Sequence, residues 1–161
     1  MSDFAKTEKQ KEAINILAGP AKHVCLYGGS RAGKSAIIFY ALVVRACKVK
    51  SRHAILRLNF NAVKRSLWME TAPKILSIAF PDLKVSLNKT DYIINFSNGS
   101  EIVFAGLDDG QRTEKLLGLE FSSIWYNEVS QLNYHSVQMV NTRLAEKNHL
   151  RKKIYYDANP S

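Results

Sequence analysis

The sequence contains no apolar run long enough to cross a membrane. None of its 161 residues lies in a stretch approaching the ~20 consecutive apolar residues that span a bilayer. The first residues, Met1–Lys6, lack the apolar core of a secretory signal peptide. A hydrophobic fraction of 46% is ordinary for a globular protein. We therefore expect one domain with a sizeable core and no membrane partner.

Cysteine is scarce, since the chain has only Cys25 and Cys47, and its four histidines are scattered. Neither residue type recurs at a spacing typical of a metal site. Both cysteines fall in predicted secondary structure, so we expect buried free thiols in a reducing compartment. The sequence also has no acidic cluster suited to two-metal nuclease chemistry.

Acidic residues are outnumbered by basic ones. The 23 Lys and Arg residues against 14 Asp and Glu give a formal net charge of +9. Such an excess favours polyanions and accelerates association with them. A solvated basic surface would give the same balance, so charge alone indicates nucleic-acid contact without establishing it.

One stretch has the pattern of a phosphate-binding loop, G-x-x-x-x-G-K-S. Its residues are Gly28, Gly29, Ser30, Arg31, Ala32, Gly33, Lys34 and Ser35. The glycines allow several backbone N–H groups to converge on one anion. We expect Lys34 to reach the β- and γ-phosphates of a nucleotide and Ser35 to ligate Mg²⁺. A glycine-rich turn that binds nothing is the alternative, and it leaves Lys34 and Ser35 unexplained.

The flanking segments suit this loop. His23–Tyr27 is a short apolar run typical of a buried strand, and Ser35–Cys47 is apolar almost all round, as in a helix packed on a sheet. Upstream, Gln10 has two interpretations. It forms a capping box with Thr7 at the start of an amphipathic helix, or it reads the edge of an adenine base.

The next segment predicts a strand and a kinked helix. The strand Ala54–Leu58 carries Arg57 near its carboxyl end, where α/β sheets place ligands. Arg57 contacts a nucleotide or DNA, or it forms a salt bridge at the sheet edge. Pro73 is expected to kink the following helix or to restart it behind Thr71.

An antiparallel hairpin is predicted in the middle of the chain. Asn98 and Gly99 separate two strand-like runs, Tyr92–Phe96 and Glu101–Phe104, and Asn-Gly in this setting is a strong hairpin signal. The polar, charged segment 106–115 that follows is expected to be a surface loop or a mobile segment.

A second chemical landmark ends the apolar strand that begins at Phe121. Asn127 and Glu128 stand at its carboxyl end, beside the expected phosphate loop. In phosphate-loop ATPases the first of such a pair is usually Asp, which holds Mg²⁺. Asn127 can orient a metal-bound water but adds no charge. Glu128 is the candidate general base, and an ordinary acidic residue at a strand end is the alternative.

The chain closes with a helix over 133–145 and a strand, Ile154–Ala158. Pro160 cannot continue a central strand, so Asn159 is the last polar group at that edge, where it can sense a γ-phosphate. The complete pattern predicts an α/β, three-layer phosphate-loop NTPase fold. Its central sheet is mainly parallel and carries an antiparallel hairpin insert.

Together these pieces resemble the ATPase domain of the large terminase subunit, the DNA-packaging motor of tailed bacteriophages. The features that carry the likeness are Arg31 within the phosphate loop, the upstream Gln10, the hairpin over 96–107, the Trp-x-x-Glu strand over 118–128, and the closing Asn159-Pro160. The resemblance implies an ASCE/RecA-like fold and a Mg²⁺-dependent ATPase.

The resemblance also implies roles for individual residues. Lys34 and Ser35 would bind phosphate and Mg²⁺, Arg31 would contact the γ-phosphate, and Glu128 would activate water. Asn159 would couple hydrolysis to movement.

Two further roles follow from the resemblance. Gln10 would read adenine. An arginine from a neighbouring subunit often neutralises transition-state charge in ring motors. Arg112 and Arg143 are the candidates for it, and no motif fixes either.

The implied partners are double-stranded DNA, further copies of the chain in a ring on the portal, and the small terminase subunit and portal protein. The implied location is the host cytoplasm. Full terminases continue into a nuclease domain, so we expect residues 1–161 to be the N-terminal part of the ATPase domain, as a fragment or a truncated gene product. Asn127 departs from the usual Asp, which could weaken metal binding.

Two rival functions fit the same residues. A helicase-like ATPase that remodels nucleic acid shares the upstream Gln and the phosphate loop. A nucleotide-gated DNA-binding module with a degenerate ATP site would explain Asn127. Strand separation would favour the first rival, and absent turnover would favour the second.

Overall fold

A computed structural model describes residues 8–28 and 33–159 of the chain. The helices are α1 (Glu8–Ala18), α2 (Lys34–Lys48), α3 (Phe60–Val63), α4 (Ala72–Ala79), α5 (Gly110–Leu117) and α6 (Tyr134–Asn141). The strands are β1 (His23–Tyr27), β2 (Arg52–Arg57), β3 (Val85–Asn88), β4 (Ile93–Phe96), β5 (Glu101–Gly106), β6 (Ser123–Tyr126) and β7 (Lys153–Ala158). A π-helical segment, Lys64–Thr71, joins α3 to α4, and a 3₁₀ turn, Val129–Gln131, follows β6.

The strands form one sheet in the order β1-β7-β6-β2-β5-β4-β3. The neighbouring strands β1, β7, β6, β2 and β5 pair in parallel. Strand β4 pairs antiparallel with both β5 and β3. This confirms the mainly parallel sheet with a hairpin insert. The register sets Tyr27 beside Ala158 and Tyr126 beside Tyr156. The carboxyl ends of β1, β7 and β6 therefore meet at one edge of the sheet.

Helices cover both faces of the sheet, which confirms the three-layer architecture. Trp125 of β6 packs into the core beneath α2, while its neighbours Ile124 and Tyr126 pack into the core beneath α5 and α6. Successive side chains of a strand point to opposite faces, so a strand covered on both sides is apolar throughout. All four residues of β6 are buried.

The helix changes type just before Pro73, behind Thr71, where a kink or a restart was expected. The π-helical segment ends at Thr71, and α4 begins with Pro73 in its first turn. The Thr71 hydroxyl donates to Ser66 O, five residues back, at 3.0 Å. A π-helical turn has wider backbone spacing than an α-helical turn. Such a turn before Pro73 accommodates the proline, which has no N–H to donate.

The prediction of a loop over 106–115 is wrong for its second half, which forms α5. The Asp109 side chain caps this helix by accepting from the backbone N–H groups of Gln111 and Arg112. Leu116 is buried and anchors the helix to the sheet. The helix predicted over 133–145 is shorter than expected, since α6 ends at Asn141.

The two cysteines are free, as predicted, but both are exposed and not buried. Cys25 lies on β1, an edge strand of the sheet, and borders an open cavity next to α1. Although the residue is exposed, the atoms packed around its sulfur remove part of the thiol's hydration, and this desolvation, followed by the nearby Asp157 carboxylate, raises the pKa of the thiol, while Lys34 opposes the shift. Within the described ranges, no helix is both long and apolar enough to cross a membrane.

His53 is a fully buried side chain on β2. The Ser51 hydroxyl donates to Val49 O, so it accepts from His53 Nε2 at 2.8 Å. His53 Nδ1 has no hydrogen-bond partner among the described residues. Burial, followed by the charges of Arg45 and Lys152, lowers the His53 pKa from 6.5 to about 3.

This histidine should make the fold acid-sensitive. Between pH 6.5 and about 3 the unfolded chain binds a proton at His53 and the folded chain does not. Stability therefore falls as the pH falls through that window. We expect wild type to lose about 2 kcal/mol more unfolding free energy than His53→Gln between pH 7 and pH 5, measured by urea unfolding. The exposed His149→Gln is the matched control and should keep the wild-type slope. An unchanged slope in His53→Gln would contradict the assignment.

Candidate active site

The phosphate loop leads directly into α2. Gly28 and Gly33 have φ values of +155° and +79°, and α2 begins at Lys34. A positive φ of this size is readily available to glycine, which explains the residue type at 33. The middle of the loop, Gly29, Ser30, Arg31 and Ala32, lies outside the described residues.

The Lys34 ammonium lies between the ends of two strands. Its Nζ donates to Gly28 O at 2.8 Å, to Ala158 O at 3.0 Å and to Asn159 Oδ1 at 2.5 Å. An ammonium has three protons, so all of its donors are directed at oxygens. The cation is therefore held at the edge where β1 and β7 end.

The Asn159 carboxamide joins Lys34 to Glu128. Its oxygen accepts from Lys34 Nζ, and its Nδ2 donates to Glu128 Oε1 at 2.8 Å. Lysine can only donate and an ionised carboxylate can only accept, so these partners assign the orientation of the amide. The structure thus brings Lys34, Asn159 and Glu128 together, as their positions at the strand ends predict.

Glu128 follows β6 in a left-handed backbone conformation, with φ +53° and ψ 56°. Residues other than glycine adopt this conformation at a cost of roughly 1–2 kcal/mol. The Glu128 N–H donates to Asp157 Oδ1 at 3.0 Å, which holds the turn. Sharp backbone turns of this kind are found at functional sites, where they aim a side chain.

Asp157 is a site residue that the sequence reasoning missed. It is 2% exposed on β7, and its Oδ2 accepts from Trp125 Nε1 at 2.6 Å. Asn127 Nδ2 donates to both carboxylate oxygens, at 3.0 and 3.2 Å. The available signal was an acidic residue inside an otherwise apolar strand, which requires a reason to be buried.

Arg57 extends this network from β2. Its Nη1 donates to Asn127 Oδ1 at 3.2 Å, while its buried Nε has no partner among the described residues. Arg57 makes no salt bridge within residues 8–28 and 33–159, so the described part of the chain gives that alternative no support. A nucleotide or DNA contact by Arg57 stays a prediction.

Two cavities adjoin Lys34. One cavity, of about 400 Å³, is bounded on one side by the carboxyl ends of β6 and β7. The π-helical segment and α4 bound it on the other side. Its lining residues are Gly33, Lys34, Ser35, Ala36, Ser66, Glu70, Thr71, Lys74, Ile75, Glu128, Asp157 and Asn159. Here the Ser35 hydroxyl and the carboxylates of Glu70, Glu128 and Asp157 offer oxygen atoms, the ligand type that Mg²⁺ prefers.

The second cavity, of about 720 Å³, lies on the α1 side of Lys34 and includes Gln10, Cys25 and Tyr27 in its wall. A Cβ on Gly33 would come within 2.4 Å of Gln10 Nε2, so the Gln10 amide packs against the loop. The capping-box alternative depends on Thr7, which is outside the described residues.

The arginines considered as trans-acting groups contact their own subunit. The Arg112 guanidinium lies 4.5 Å from the Phe60 ring centroid and 3.5 Å from Asp109 Oδ2. Arg143 Nε donates to Leu119 O at 3.1 Å. Neither arginine is part of the wall of the Lys34 cavities. To act in the site of a neighbouring subunit, either arginine would have to leave these contacts when the subunits assemble.

The residues at this site fit a nucleotide with Mg²⁺, judged by their donor chemistry. Lys34 offers an ammonium to phosphate oxygens, and Ser35 and Asp157 offer oxygens to the metal. In the described ranges, no three His, Cys, Asp or Glu side chains are grouped so that they could hold a metal ion. An ion here would therefore keep several of its waters, as Mg²⁺ does in phosphate-loop enzymes.

Comparison with known families identifies a match over most of the chain. The model of the phage terminase large subunit family matches residues 21–161. No curated protein is similar enough in sequence to match.

Solved structures share the fold. The large terminase of a thermophilic bacteriophage has a TM-score of 0.78 at 16% identity, covering 95% of this chain and 39% of that one. The same protein in complex with ADP has a TM-score of 0.74 at 16% identity, covering 96% and 39%. The large terminase ATPase domain of Thermus phage P74-26 has a TM-score of 0.67 at 16% identity, covering 97% and 66%.

These matches confirm the expected RecA-like fold, and at such identities they show the fold alone. The chain spans about two-fifths of the length of the first of these large terminases.

The geometry of the loop yields a stability prediction. Gly33→Ala adds a Cβ at φ +79°, 2.4 Å from Gln10 Nε2, so we expect a loss of about 1–2 kcal/mol in unfolding free energy. Gly110→Ala is the control, because a Cβ there meets nothing within 4 Å. In the first turn of α5 it should be neutral or stabilising by up to about 0.5 kcal/mol. Equal stability of the two variants in urea would contradict the loop geometry.

Proposed function

We propose that this chain, which belongs to the phage terminase large subunit family, hydrolyses ATP to drive packaging of double-stranded DNA into a capsid. The observation that carries the proposal is the continuous contact from Lys34 through Asn159 to Glu128. It supports the proposal because Lys34, which would bind the phosphates, and Glu128, which would act as the base, line one cavity. Nucleotide hydrolysis requires both.

The residues would divide the work as follows. Lys34 and the start of α2 would hold the β- and γ-phosphates, and Ser35 would ligate Mg²⁺, which neutralises phosphate charge when bound. Glu128 would take a proton from the attacking water. Arg31 would contact the γ-phosphate, and Gln10 would read adenine from the α1 side.

Asn159 would couple the state of the nucleotide to movement. Its amide contacts Lys34 and Glu128 at the same time. When Lys34 turns toward a γ-phosphate, the amide loses one of its two partners and can shift, which also shifts its bond to Glu128. A change at the phosphate would thereby reach β7 and whatever follows it in the chain.

We extend the proposal to the partners of the motor. Several copies would form a ring on the portal around the DNA, with the small terminase subunit as a further partner, in the host cytoplasm. Arg112 or Arg143 of a neighbouring copy would complete each site. The proposed segment is the ATPase part, and nuclease chemistry would belong to another domain.

Two substitutions separate binding from turnover. Lys34→Ala should abolish ATP binding, because it removes the cation that would bind the β- and γ-phosphates. Glu128→Gln should retain nucleotide affinity within about threefold and lose turnover by roughly a hundredfold or more, because the amide cannot accept the water's proton. Nucleotide binding by fluorescence and phosphate release in the presence of duplex DNA would measure the two effects.

The control is Glu146→Gln, which alters a carboxylate bonded to Arg52 N, Ser122 and Asn148, away from the cavity. It should leave turnover at the wild-type rate. Wild-type turnover in Glu128→Gln would remove the base assignment. ATP binding without hydrolysis in wild type would favour the nucleotide-gated binding module.

Duplex DNA binding should depend strongly on salt. With a formal charge of +9, contacts would be made chiefly to phosphates and would release counterions. We expect affinity to fall roughly tenfold or more between about 50 and 200 mM NaCl, equally for unrelated sequences. Titration of two labelled duplexes of different sequence would test this. Salt-independent binding, or separation of the strands on ATP addition, would count against a packaging motor.

A further inference from the structure

We infer that Asp157 supplies the metal-facing negative charge that residue 127 usually carries in phosphate-loop ATPases, so that Asn127 and Asp157 form an exchanged pair across β6 and β7. The inference deepens the proposed function and rests on it. It gives Asp157 a positioning role toward Mg²⁺ through coordinated water, without direct ligation. Asn127 then acts as the support for that carboxylate.

The hydrogen bonds of Asn127 fit this exchange. Arg57 can only donate, so the Asn127 oxygen faces it, and Asp157 can only accept, so the Asn127 Nδ2 faces the carboxylate. An amide satisfies both neighbours at once. Residue 127 is 3% exposed, so each of these bonds is made in a protected setting where an unmatched group is costly.

An aspartate at 127 would not fit beside Asp157. Asn127 Nδ2 lies 3.0 Å from Asp157 Oδ2. Two carboxylates at that distance cannot both stay ionised without a cation between them. Asparagine at 127 is therefore the matched partner of an acid on the adjacent strand, and it need not signify a degenerate site.

Asp157 is held where a metal-facing acid has to be. It lines the same cavity as Ser35, Glu128 and Asn159. Three donors fix its carboxylate, namely the Trp125 indole N–H, the Asn127 amide and the Glu128 N–H. Donors of this kind hold the orientation of the carboxylate. The negative charge that faces the metal would thus come from Asp157 on β7, and not from the usual position directly after β6.

The test compares nucleotide binding with and without metal. The probe is fluorescent ADP, titrated in Mg²⁺ and again in EDTA, and Mn²⁺ binding in the presence of ADP is followed by electron paramagnetic resonance. Asp157→Asn should lose about tenfold in Mn²⁺ affinity, while metal-free ADP affinity stays within about threefold of wild type. Both readouts are independent of turnover.

The decisive variant is the double exchange Asn127→Asp with Asp157→Asn. It restores one acid and one amide, with Arg57 now paired to the acid. The amide introduced at position 157 can still accept from Trp125 and donate to the acid introduced at position 127, while the Glu128 N–H loses the acceptor that Asp157 provides. We expect the double exchange to recover most of the Mn²⁺ affinity lost in Asp157→Asn. Glu146→Gln is the same acid-to-amide change at another carboxylate that accepts hydrogen bonds from three groups, and it should leave Mn²⁺ affinity unchanged.

The outcomes separate this inference from the proposed function. Wild-type Mn²⁺ affinity in a folded Asp157→Asn, or no recovery in the double exchange, would overturn the exchanged pair and leave the ATPase proposal standing. If Asp157→Asn does not fold, the double exchange decides alone. A wild-type chain that binds no nucleotide with or without metal would overturn both.

Discussion

The candidate site depends on the side-chain amide of Asn159, which hydrogen-bonds to a cation and to an acid at the same time. Asn159 accepts from Lys34 and donates to Glu128, and only a group with an acceptor at one end and a donor at the other can do both. An acid at this position would repel Glu128, and a second cation would repel Lys34. The neutral amide therefore lets opposite charges from α2 and the end of β6 stand at one cavity without neutralising each other directly.

The sheet register decides where these groups meet and separates them from a second set of polar contacts. Parallel pairing of β1, β7 and β6 gathers their carboxyl ends at one edge. At the opposite edge, Arg45 donates to Ser123 Oγ and Lys153 donates to Leu17 O. Lys153 is buried and Arg45 is partly buried. Both cations bond to uncharged oxygens and connect the helices to the sheet, so they stabilise the layers.

The features that could be predicted were those whose signal is local. The hairpin turn is set by Asn98-Gly99, and Phe96 N donates to Ser100 O at 2.9 Å as such a turn requires. The segment that forms α5 resembles a loop because its helix signal is the Asp109 cap, and its buried Leu116 comes only after a polar run. The edge strand β3 was not predicted, since Val85–Asn88 is only partly buried and is defined by its pairing with β4.

By itself the sequence determined the available chemistry: a phosphate loop, an acid at the end of an apolar strand, and an amide before a proline. It placed Lys34 in the phosphate loop and Glu128 and Asn159 at strand ends, because glycines mark the loop and apolar runs mark the strands locally. Only the tertiary structure decided that Asp157 stands against Asn127. The two residues are 30 positions apart, and no local pattern reports which strands become neighbours. Their contact exists because β6 and β7 pair in parallel, and that pairing is settled by how both faces of the sheet are packed.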